Sequence, residues 1–221
     1  MDNKPVMEFN AYLEDFNICK DSKSLFDSMN AFIVTEKYQD LRLRGIKIND
    51  LDAQSKTQFV EAEFLCATEE ALKSFGKFVQ HLHDKGHKLV FTRLHLSGDK
   101  HLKPCEDICV GFEGCMAVAN LFQQHWLQNL IEFRFTDFIV DPYAIIGLCD
   151  ALTMNPSLMI IDFSRDNINE DLASAVIQRL YYNPCLTKIN LDGNPIATGL
   201  FRENYIKPYF NQRKEVSIII A

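Results

Sequence analysis

Apolar and polar positions along this chain follow a phrase that returns at a fixed distance. Leu158, Ile161, Phe163 and Ile168 are answered 28 residues later by Leu186, Ile189, Leu191 and Ile196, and 28 residues earlier by Leu130, Phe133, Phe135 and Val140. Within each phrase the middle apolar pair encloses a polar or charged residue and is followed by another, the period of a strand with one buried face. Between phrases, Ala144, Leu148 and Leu152 map onto Leu172, Val176 and Leu180 at helical spacing. A fixed period marks a repeated strand-and-helix unit. Asn155-Pro156 and Asn183-Pro184 close the two best units, because asparagine tolerates the left-handed conformation that ends a helix and proline cannot continue one.

Upstream the phrase continues less regularly. Phe91, Leu94 and Leu96 restate it, but the next statement begins at Leu130, 39 residues on instead of 28. The surplus of about 11 residues is placed in a loop spanning 97–114, where insertions in repeat proteins collect. Tyr38, Leu41, Leu43 and Ile48 match the spacing and are read as a repeat, whereas Phe59, Ala62 and Phe64 fit poorly. Thr68-Glu69-Glu70 opens a predicted helix with Leu72, Phe75, Phe78, Val79 and Leu82 on one side, stopping near Gly86. The following helix is predicted to use Val118, Leu121, Phe122 and Trp126. Residues 1–37 carry a helical pattern at Leu25, Phe26, Met29 and Ile33, suited to cap the first unit. Leu200, Phe201, Tyr205 and Ile206 read as a last helix and Val216 to Ile220 as a closing strand, so 197–221 forms the other cap.

The phrases Leu158-x-x-Ile161-x-Phe163 and Leu186-x-x-Ile189-x-Leu191-x-x-Asn194-x-Ile196 resemble leucine-rich repeats of the long, ribonuclease-inhibitor type. The resemblance covers roughly 38–196. It implies an α/β solenoid of about five or six repeats, with a curved parallel sheet on the concave side and helices on the convex side. It also implies that the asparagine at 194 bridges neighbouring turns by hydrogen bonds. Phe138 and Asp166 hold that position in the two preceding units, so irregular turns are expected there.

If Ile161 and Phe163 face the core, their neighbours face the open side of the sheet. Extended to every unit, this gives a central ladder of Arg42, Glu63, His95, Arg134, Asp162 and Asn190. One flank reads Arg44, Leu65, Ser97, Thr136, Ser164 and Asp192, the other Arg93, Glu132, Ile160 and Lys188. Charges of both signs alternate, and Arg134 is placed to pair with Asp162. The ladder is the candidate partner-binding surface; the alternative is a solvated face with mutually satisfied charges. It carries no aromatic anchor of the kind that dominates protein interfaces.

The chain has 221 residues, 47% of them hydrophobic, enough for a continuous core. A formal charge of −7 argues against non-specific binding to nucleic acid or anionic membranes. No apolar run is long enough to cross a bilayer and the N-terminus lacks a signal peptide's apolar centre. Seven cysteines, scattered through apolar segments and loops, fit reduced thiols in an intracellular, cytoplasmic setting.

Two clusters carry candidate metal chemistry. His101, Cys105, Cys109 and Cys115 are four soft ligands in and beside the insertion, the donor set of a tetrahedral zinc site, although without the two-residue gap of zinc knuckles. Unpaired thiols are the alternative. His81, His83 and His87 straddle a helix end, where polar or cationic side chains favour the dipole. No nucleophile elbow, phosphate loop or paired metal motif is present. The expected function is a non-enzymatic protein–protein interaction module without a cofactor, binding a protein partner through the open sheet face, the 97–114 loop or both. The resemblance also admits a regulator of a small GTPase or of actin, or a bacterial effector with borrowed repeats acting inside a host cell. The third alternative is a zinc-stabilised structural component.

Overall fold

The computed structural model describes residues 22–52, 57–86, 89–98, 109–124, 126–210 and 215–220. It is a mixed α/β fold built on an open, parallel-rich sheet. Helix α1 (Ser22–Thr35) precedes β1 (Leu41–Asp52) and β2 (Thr57–Cys66). Then come α2 (Glu69–Asp84), β3 (Leu89–Ser97), the short β4 (Cys109–Val110), α3 (Phe112–Gln123), β5 (Glu132–Thr136) and β6 (Ile139–Val140). Helix α4 (Pro142–Thr153), β7 (Ile160–Asp162), α5 (Glu170–Leu180) and β8 (Lys188–Asn190) complete the regular part. Thr198–Phe201 (α6), a π-helical turn (Arg202–Ile206) and Lys207–Phe210 (α7) lead to β9 (Ser217–Ile219).

The main sheet runs β1-β2-β3-β5-β7-β8-β9. Every neighbouring pair from β2 onward is parallel, and successive strands are joined by helices that pack in series, α2 on α3 on α4 on α5. The helices therefore share one side, and the side chains between them and the sheet form the core: Phe133, Phe135, Ile161, Phe163, Ile189 and Leu191 are all fully buried. Helix starts follow local chemistry. Thr68 accepts the Ala71 N–H, Asp141 those of Tyr143 and Ala144 ahead of Pro142, and Asn169 that of Leu172.

The first strand departs from the repeat. β1 pairs antiparallel with β2, so 38–48 is one arm of a hairpin and not a strand-and-helix unit; the poorly matching 59–64 is the strand that starts the parallel series. The apolar spacing misled because an antiparallel arm with one buried face has the same period-two pattern. Its register slips between Leu43 and Gly45, a bulge that the lone glycine signals.

Four further details differ from expectation. The insertion closes by Cys109–Val110, which pairs with Ile139–Val140. Trp126 lies in the turn beyond α3 and stacks on His83, ring centroids 4.9 Å apart. Asn155 and Asn183 are not left-handed. Each is buried, donates its amide to the preceding turn (Asn155 to Leu127 O at 2.8 Å, Asn183 to Leu152 O at 3.0 Å) and accepts a following N–H. The turns after β5, β7 and β8 share one feature, since Asp137, Arg165 and Gly193 all take positive φ at a 28-residue step, although Asn167 adds a second positive φ in the middle turn only.

Candidate functional site

The sheet face away from the helices carries the polar ladder, and its rungs are continuous. Glu63, His95, Arg134, Asp162 and Asn190 are lateral partners in that order, and Glu61, Arg93, Glu132, Ile160 and Lys188 form the adjacent rung. Leu65, Ser97 and Thr136 make a third. Arg42 stands opposite Leu65, one rung away from its expected neighbour Glu63, and Arg44 occupies the bulge. Both remain exposed.

Burial divides the predicted surface residues. Arg42, Arg44, Arg93 and Arg134 are exposed, and Glu63, His95, Asp162, Lys188, Asn190 and Asp192 are half-buried. Glu132, Thr136 and Ser164 are buried, Glu132 beneath the guanidinium groups of Arg93 and Arg134. Asp162 and Asn190 spend their oxygens locally, accepting the N–H of Ser164 (2.9 Å) and Asp192 (3.1 Å), and Asn190 also donates to Asp162 (3.0 Å).

Arg134 turns away from Asp162. Its Nε and Nη2 both meet Glu132 Oε1 at 2.5 Å, since residues two apart on one strand share a face. Glu132 also faces Arg93 Nε at 3.3 Å, and Arg93 Nη1 lies 3.6 Å from Glu61, which sits 4.0 Å from Lys47 Nζ. The result is an alternating chain across four strands: Lys47, Glu61, Arg93, Glu132, Arg134.

A second polar chain crosses the strand ends. Thr136 Oγ1 donates to Asp137 (3.1 Å), so its oxygen accepts from His95 Nε2 (2.8 Å). This puts the neutral imidazole proton on Nε2 and leaves Nδ1 facing Glu63 at 3.8 Å. Burial, opposed by Glu63, holds the His95 pKa below its usual value. Arg165 grips Asp137 through two hydrogen bonds of 2.6 and 2.9 Å, and this bonding holds the Asp137 carboxyl below the ordinary carboxylate range.

Gly45, Ile46 and Lys47 on the bulged edge strand rise beside this face and, with Glu61, Arg93, His95 and Arg134, enclose a hollow of about 310 Å³. Sequence reasoning missed Lys47 and Glu61 as site residues because it read 38–48 as another repeat; the glycine at 45 was the available signal.

Of the four residues of the zinc candidate, one has a described side chain. His101 and Cys105 lie outside the described residues, as does the Cys109 side chain, while Cys115 is fully buried in α3. Among the described residues no group of three or more His, Cys, Asp or Glu side chains is placed to hold a metal ion. His81 and His83 face different neighbours, Phe32 and Trp126; His87 lies outside the described residues. Also among them, no helix is long and apolar enough to cross a membrane. No protein-family model matches the chain, and no curated protein shows significant similarity to it.

Proposed function

We propose that the chain is a leucine-rich-repeat solenoid, with the sheet on its concave side, that serves as a non-enzymatic protein-binding module. The partner seats on the sheet face around Arg93, His95 and Arg134. The observation that carries this reading is the unbroken rung of side chains across parallel strands, walled at one end by the β1 hairpin into a hollow. A stack of strand-and-helix units repeats its strand positions side by side and so builds an extended surface that no single unit has. The 28-residue step of the positive-φ turns and the bridging Asn194 support the repeat assignment.

The test is quantitative affinity enrichment from lysate, comparing wild type, Arg93→Glu with Arg134→Glu, and a deletion of 99–108, each checked for folding by circular dichroism. Proteins enriched by wild type are expected to be kept by the deletion and lost by the charge-reversed variant. An enriched set unchanged in the charge-reversed variant overturns the reading.

A further inference from the structure

The charged chain lining the hollow holds three cations and two carboxylates, and the two signs differ in exposure. Its cations project: the side chains of Lys47, Arg93 and Arg134 are 66, 57 and 50% exposed. The carboxylates they meet lie beneath, Glu61 at 23% and Glu132 at 8%, while Glu63, the third carboxylate of the hollow, is 41% exposed and faces His95. An approaching molecule therefore meets three projecting cations against one projecting carboxylate, on a protein whose formal charge is −7. Each cation keeps half or more of its side chain in water, so its outer N–H groups remain available to a second anion. Glu132 holds both arginines from below, which fixes their stems while their outer edges face the hollow.

We infer that this hollow receives an acidic segment of a partner protein, its carboxylates seated on Lys47, Arg93 and Arg134. The inference rests on the binding-module reading and adds the chemistry of the partner. Geometry selects a segment over a single small anion. Lys47 on β1 and Arg134 on β5 are three strand spacings apart, roughly 14 Å, which an extended segment of about five residues spans and one phosphate does not. Gly45, Ile46 and Ala62 also line the hollow, Gly45 without a side chain and the other two packed with the core, giving the segment an uncharged stretch of strand to lie against. Acidic groups arriving at Arg93 and Arg134 compete with Glu132 at strength comparable to the existing pairs, so association is expected to be fast and salt-sensitive.

The experiment is fluorescence anisotropy of the full chain with a labelled octaglutamate peptide, using labelled octalysine and octaserine for comparison. Octaglutamate is expected to bind preferentially and to weaken several-fold as salt is raised from about 50 to about 200 mM. Arg93→Glu with Arg134→Glu is expected to lose about tenfold or more in affinity, whereas Lys23→Glu with Arg179→Glu, the same charge change at exposed sites elsewhere, stays within about twofold of wild type. The inference is overturned if octaglutamate fails to bind by about 1 mM, or if the distant variant loses as much as the hollow variant. Octalysine binding that depends on the hollow would overturn the acidic class while leaving the site in place. If no peptide binds but partner enrichment still depends on Arg93 and Arg134, only this inference fails; if enrichment is also insensitive, the binding-module reading fails with it.

Discussion

The backbone N–H of Asp166 donates to Asn194 Oδ1 at 2.9 Å, and the two residues hold the same position one repeat apart. Asn194 is fully used: its oxygen also accepts from Ile168 N, and its amide donates to Phe163 O and Leu191 O. Asp166 keeps half of that role. Its Oδ1 accepts from Phe138 N at 2.9 Å, but the buried Oδ2 has no partner where an asparagine would present a donor.

Asp166→Asn is therefore expected to stabilise the fold by about 1–3 kcal/mol near neutral pH, by restoring a donor to an orphaned site. The pH dependence follows from burial, which raises the Asp166 pKa well above its ordinary value, with Asp137 and Asp162 adding to the shift and the Phe138 N–H and Arg165 opposing it. The folded form holds the proton that the unfolded chain releases near pH ~4, so this contribution is complete below that pH and is lost as pH rises through the folded value. Thermal unfolding of both proteins should show a gap that widens from acid to neutral pH. A gap of constant size would exclude the titration.

Asn194→Ala removes four hydrogen bonds from a buried turn and leaves two backbone N–H groups without their acceptor. It is expected to destabilise by about 2–5 kcal/mol, read from urea midpoints. A loss below that of an ordinary surface substitution would show that the turn re-forms without it.

Gly98 closes β3 against the neighbouring turn, its N–H donating to Thr136 O at 2.8 Å. A Cβ there would lie 2.1 Å from Asp137 O. Backbone must move to admit it, so Gly98→Ala is expected to cost about 1–3 kcal/mol, and the same substitution at Gly45, which has open space around it, much less. Equal midpoints for the two alanine variants would count against this packing.

His95 sits neutral in its hydrogen bond to Thr136. Its pKa is lowered by burial, so the unfolded state takes up a proton first as pH falls. The stability it confers is present above the unfolded value near pH ~6.5 and is lost as pH falls through the folded one. His95→Gln should flatten the stability profile over that acid window. Two-dimensional NMR of the imidazole should show it titrating below the usual histidine range; titration at the ordinary value would refute the assignment.

Much of the architecture was legible because the residues that specify it repeat. Phe135, Phe163 and Leu191 announce a buried strand face by period, and Val118 or Val176 a helix by spacing, without reference to distant partners. The lateral order Arg134, Asp162, Asn190 followed from that period, and Glu63 and His95 from the strand phrase, in agreement with the strand register, whereas Arg42, expected beside Glu63, stands opposite Leu65. The direction of β1 was not legible: a hairpin arm and a parallel repeat strand carry the same alternation, and only pairing distinguishes them. Pairing also redirected Arg134 from Asp162 to Glu132, since a long side chain chooses between rungs in three dimensions.

The sequence by itself determined the repeating strand and helix, the polar character of one sheet face and which residues lie on its rungs from β3 onward. These depend on local period, which a linear pattern records. Tertiary structure alone decided that β1 folds back to wall a hollow, that Glu61 and Glu132 sink beneath the cations, and that Asp166 is buried with one oxygen unpartnered. Those depend on which side chains meet across strands far apart in the chain, and on how much water the meeting leaves.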